Sequence, residues 1–266
     1  FYKMKIFLVY IFLLCSSLVG FSQIRMDKLV VKAGKPYELF GSDILVVDTL
    51  IMLDSAKIFL NRSKPDNFIH AKIIKVGKGC QITGAGENGL TGDNGIGGYT
   101  AVGPCKNGTP GSNGKPGTSA TDGVNLFLYF NHLQITGSLM FALSGGDGGD
   151  GGRGGNGGGG SPGTRLCPGG DGGPGGNGAS GGNGGDGGNL TLTCNGCADL
   201  RTLLGNKILV RSYGGNAGLG GDGGQGGLAG LVSAGRNTQD GTNGPKGKTG
   251  ERGESGRSGA INFEQQ

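Results

Sequence analysis

Three short stretches carry residue types that could do chemistry. In SGGDGGDGG (144–152), Asp147 and Asp150 stand three residues apart with only glycine between them, a pair of carboxylates that could hold a cation. CNGC, Cys194 to Cys197, has the spacing of a zinc half-site or a redox pair. GKT, Gly247 to Thr249, ends as a phosphate-binding loop ends. Each fails on its surroundings. Calcium-binding nonapeptide repeats need a large apolar residue in every turn, whereas the aspartate stretch has none and repeats every three residues. Its carboxylates are read as solvated columns that keep a glycine-rich surface soluble. No second CxxC exists, and His70 and His132 fall in strand-like segments, so CNGC is read as a structural disulfide at a strand end, with exchange to Cys80 as the alternative. A phosphate loop needs glycine at position 242, which is Thr242. Without a nucleophile motif, a metal triad or a base beside an apolar cleft, the sequence predicts no enzyme, no cofactor and no metal.

The chain that would position these residues has 65 glycines among 266 residues and no tryptophan, so about one residue in four brings no side chain to a core and has the most backbone entropy to lose on ordering. That argues against a conventional globular enzyme. Nine prolines are too few for collagen, and a charged fraction of 16% is too low for a disordered tail. The net charge of +5 is scattered, with no basic helix or aromatic platform, which argues against a nucleic-acid partner.

The glycines keep register. Gly145, Gly148, Gly151, Gly154, Gly157, Gly160 and Gly163 form one column of period three, and Gly169 through Gly187 form a second, with 164–168 joining them. A first pair of arms runs from Gly86 to Gly98 and from Gly108 to Gly123, and a third pair from Gly215 to Gly230 and from Gly241 to Gly259. The result is three outbound-and-return excursions. Each return arm ends in an alternating apolar segment that reads as a strand, at 125–128, 189–192 and 261–263. Residues 23–83 have ordinary glycine content and short apolar segments between turns. A period of three matches the polyproline II helix, in which glycine columns let neighbours approach and bond through their backbones. The expected fold class is therefore mainly β: a β-solenoid or small β-sheet base, with a β-sandwich as alternative, carrying a six-arm polyglycine II helix bundle over 84–266. The middle excursion, mostly Gly-Gly-X, belongs inside.

From about Gly84 to Gly259 this pattern resembles the polyglycine II bundles of T-even-type phage tail-fibre adhesins and of the snow flea antifreeze protein. The resemblance implies receptor binding by loops at the bundle tip in the first case and ice binding by a flat face in the second, and it carries over no functional residue. Lys3 and Lys5 before the apolar run Ile6 to Val19, with small residues near Gln23, predict a cleaved signal peptide over 1–22, and the ending GFSQ resembles export signals of Bacteroidota. The expected localisation is secreted or cell-surface, without membrane insertion after cleavage. The expected function is a non-enzymatic structural or adhesive surface protein whose tip loops bind a cell-surface glycan or protein. Alternatives are an ice-binding protein and a collagen-like trimeric fibre. Candidate contact residues, from their position in the tips, are Tyr99, Val102, Lys106, Arg165, Leu166, Leu231, Val232, Arg236 and Asn237. Cys105 and Cys167 lie in adjacent tips and are expected to form a disulfide.

Overall fold

Runs such as ILVVDTLIM at 44–52 alternate apolar and polar residues, the signature of a strand with one face buried. A computed structural model describes residues 23–195, 197, 200–233 and 238–265; the segment 1–22, where a cleaved signal peptide is expected, lies outside them. In chain order the strands are β1 (Gln23–Val31), β2 (Tyr37–Glu38), β3 (Ile44–Met52), β4 (Lys57–Phe59), β5 (Asp66–Val76), β6 (Cys80–Thr83), β7 (Asn125–Ile135), β8 (Leu139–Ala142), β9 (Leu190–Cys194), β10 (Ile208–Arg211) and β11 (Ile261–Gln265). They form two sheets, ordered β1-β3-β5-β7-β9-β11 and β10-β8-β6-β4-β2. All pairings within the sheets are parallel, so the chain winds alternately through one sheet and the other. An antiparallel sandwich is thereby excluded.

The winding stacks like residues at the same level of successive strands. Leu45, Ile69, Leu128 and Leu192 are in register across β3, β5, β7 and β9 and are fully buried. Ile58, Ile82 and Phe141 face them from the second sheet. This continuous apolar column supplies the hydrophobic stabilisation that glycine cannot, about 1.5–3 kcal/mol for each large side chain removed from water. The corner from β4 to β5 is closed by two buried amides. Asn67 Oδ1 accepts from the Asn61 N–H at 2.8 Å, and Asn67 Nδ2 donates to the Asn61 carbonyl at 3.0 Å.

The glycine-rich excursions are the same kind of corner, enlarged. They fill 84–124 between β6 and β7, 143–189 between β8 and β9, and 212–260 between β10 and β11. A six-arm polyglycine II helix bundle is not the fold class: the regular structure of the described residues is two parallel sheets of six and five strands, with a single 3-10 turn at Leu200–Leu203, and the described residues of the excursions contain no helix. The physical reason is that period-three glycine reports how closely backbones approach one another. It does not report which element organises the chain, and here that is the sheet pair with its apolar interior.

Candidate functional site

The excursions bond to one another through their backbones at every third residue. Gly86, Gly89, Gly92, Gly95 and Gly98 donate to the carbonyls of Ser144, Asp147, Asp150, Arg153 and Asn156, joining the first outbound segment to the second. Gly145 through Gly163 continue the row to the third, and the return segments form an equivalent row, beginning with Gly108 to Asp171 and Gly169 to Gln239. Cross-bonds such as Gly155 to Ser112 and Gly176 to Gly155 tie the two rows together. The middle excursion sits between the other two, and its second glycine column is needed there: a Cβ at Gly149 or Gly155 would overlap the carbonyl of Leu90 or Ile96.

The aspartates and asparagines do more than solvate this array. Asn88 Oδ1 accepts from the Asp147 N–H at 2.9 Å, and Asp147 Oδ1 from the Asn216 N–H at 2.7 Å. In the return row the same relay runs from Asn107 to Asp171 at 2.8 Å and from Asp171 to Thr242 at 2.7 Å. Each acceptor satisfies a main-chain N–H that the glycine bonds leave over. Pro110, Pro174 and Pro245 share one level, between the levels of Asn107 and Asn113, where the preceding segment offers no side-chain acceptor. Proline suits that level because it has no N–H to satisfy. Asp147 and Asp150 are exposed, as their reading as solvated columns has them, and each also accepts a main-chain bond from the third excursion. The signal in the sequence was a short acceptor recurring as the third residue of Gly-Gly-X triplets.

These contacts predict an acid response. The Thr242 backbone N–H, with its hydroxyl, holds the Asp171 carboxyl below its ordinary value of 3.8. The Arg257 side chain, then its N–H, does the same for Asp186. Folded carboxyls that titrate below the unfolded value contribute stability that is complete above about pH 4 and is lost as pH falls through the lower folded values. Melting temperature is expected to hold between pH 7 and 5 and to fall below pH 4, more steeply in the wild type than in a D171N/D186N variant.

At the far end of the array the connections meet. The structure bonds Cys105 to Cys167, across 62 positions of sequence. Around it, Cys105 N–H donates to the Pro162 carbonyl at 3.0 Å, and Lys106 N–H to Ser161 Oγ at 2.8 Å. Thr238 Oγ1 reaches the Thr164 carbonyl at 2.7 Å and joins the third connection to the second. Ser161, Thr164 and Thr238 were not singled out by sequence reasoning, because their role depends on which segments become neighbours. Cys105 itself has a φ of 60°, a left-handed conformation uncommon for a residue with a Cβ, held by the bridge and the hydrogen bond. Of the candidate contact residues, Tyr99, Val102, Lys106, Arg165, Leu166 and Leu231 are exposed and Val232 is half-buried. Arg236 and Asn237 lie outside the described residues. Leu166 is 96% exposed and Val102 85%, so this end presents apolar side chains to solvent with nothing covering them.

The other candidates have quieter places. Cys194 and Cys197 form a disulfide at the end of β9. Cys80 is buried in β6, where burial pushes its thiol pKa up. Among the described residues no cluster of His, Cys, Asp and Glu could hold a metal ion. Gly247 lies in the last return segment, where its N–H donates to Gly224, and no phosphate loop is formed.

No protein-family model matches the chain, and no curated protein matches it. Among solved structures it is similar to a springtail antifreeze protein from Granisotoma rainieri, a nine-membered polyproline type II helical bundle, at 23% identity over 57% of this chain and 94% of that one. The TM-score is 0.16, which carries no argument about fold or function.

Proposed function

We propose that this is an exported, non-enzymatic adhesive or structural surface protein whose loop end binds a cell-surface glycan or protein. The observation that carries the reading is the convergence of Arg165, Leu166 and Leu231, all exposed, on one end of an array tied by the Cys105–Cys167 bridge. Exposed apolar side chains held on a rigid scaffold are what a recognition surface needs, since ordering has already been achieved before the partner arrives. Replacing Arg165–Leu166 with Gly-Ser and, in a second change, Leu231 with Ser, while keeping both cysteines, is expected to abolish attachment to cells or immobilised glycans, with the melting temperature unchanged. Attachment that survives both replacements overturns the reading. Inhibition of ice recrystallisation by the wild type, with no attachment, would move the function to ice binding.

A further inference from the structure

The first outbound segment carries a row that the inner segments lack. At the positions where the middle excursion has Gly149, Gly152, Gly155 and Gly158, the first has Leu90, Asp93, Ile96 and Tyr99, with Val102 continuing the row. Leu90 and Ile96 are each 74% exposed, Tyr99 78% and Val102 85%. The backbone of this row is already engaged: the carbonyls of Leu90, Asp93, Ile96 and Tyr99 accept from Thr118, Lys115, Ser112 and Thr109. The Leu90, Ile96 and Tyr99 N–H groups donate to hydroxyls of the same return segment. Side chains of this size also prevent the close approach by which the array adds a segment. What can dock here must do so through side chains.

The order of the row selects the occupant. Read from Leu90 to Val102 it runs apolar, acidic, apolar, tyrosine, apolar, and a two-fold axis through Ile96 sets it against itself. Ile96 meets Ile96 of a second copy, Leu90 meets Val102, and the Tyr99 hydroxyl meets the Asp93 carboxylate. Asp93 has capacity for that bond, because Lys115 engages only its Oδ2, at 2.9 Å. A parallel arrangement would oppose Asp93 to Asp93, which like charge disfavours. Five exposed side chains on each copy make a contact at the small end of specific interfaces, about 1,200 Å² in total or less, which fits a weak dimer. We infer that the protein forms a two-fold dimer along this row, with the loop ends of the two copies pointing in opposite directions.

Analytical ultracentrifugation of the wild type from 1 to 100 µM is expected to show a monomer–dimer equilibrium with a micromolar dissociation constant. Ile96→Arg is expected to remove the dimer at all these concentrations while leaving the melting temperature of the monomer unchanged, since the position is exposed. A short bismaleimide linker should couple Ile96→Cys to itself across the axis, and should not couple Leu228→Cys, which is equally exposed on the third outbound segment. A wild type that stays monomeric at 100 µM, an Ile96→Arg variant that still dimerises, or an Ile96→Cys variant that does not couple overturns the inference. Loss of attachment by the loop replacements leaves these readouts untouched, so the two proposals fail separately.

Discussion

Gly155→Ala is expected to destabilise the protein by about 3 kcal/mol or more, although it adds a single methyl group. The new Cβ would overlap the Ile96 carbonyl, which is backbone and cannot rotate away. Relief requires the first and second outbound segments to separate. That loosens the bond from Gly95 to Arg153 and the Gly155 bond to Ser112, each worth about 1 kcal/mol in addition to the steric cost. Gly97→Ala is the matched control. Its Cβ would find nothing closer than the Asn156 carbonyl at 3.7 Å, and Gly97 has no left-handed φ. Removing a glycine there restricts the unfolded chain and is expected to be neutral or to stabilise by up to about 1 kcal/mol. Thermal or denaturant melts of the two variants decide the matter. Equal effects at both positions would mean that the backbones are not in close contact.

Breaking the Cys105–Cys167 bridge is expected to cost about 4 kcal/mol, and breaking Cys194–Cys197 about 1.5 kcal/mol, in the loop-entropy account. The difference follows from sequence separations of 62 and 3. A long glycine-rich loop has the most freedom to recover in the unfolded chain, so the first bridge restrains far more of it. Cys105→Ser with Cys167→Ser should therefore lower the denaturation midpoint strongly and Cys194→Ser with Cys197→Ser weakly. Partial proteolysis should cut the first variant between 99 and 110. Equal midpoint shifts for the two pairs would defeat the argument.

Much of this molecule is legible in the sequence because its signals are periodic. The glycine columns mark where backbones meet, and a column that doubles, as at Gly145 and Gly146, marks a segment enclosed by neighbours. The alternating runs ending each excursion mark β7, β9 and β11, and the placing of Cys105 and Cys167 in neighbouring connections anticipates their bond. The Asx relay was less legible: Asp147 has the same composition signature whether it faces water or the Asn216 N–H. Helical periodicity was over-read, since three-residue spacing is consistent with more than one way of arranging extended chains.

By itself the sequence determined the period of three, the division into three excursions and the alternation of apolar residues, because these are properties of adjacent residues and their immediate sterics. Only the tertiary structure decided that the strands wind parallel through two sheets, that the excursions are corners of that winding, and that the row from Leu90 to Val102 lies on an open edge. Those depend on which segments become neighbours, and that choice is made by the buried column through Leu45, Ile69, Leu128 and Leu192, whose members are brought together across long stretches of chain by the removal of apolar surface from water.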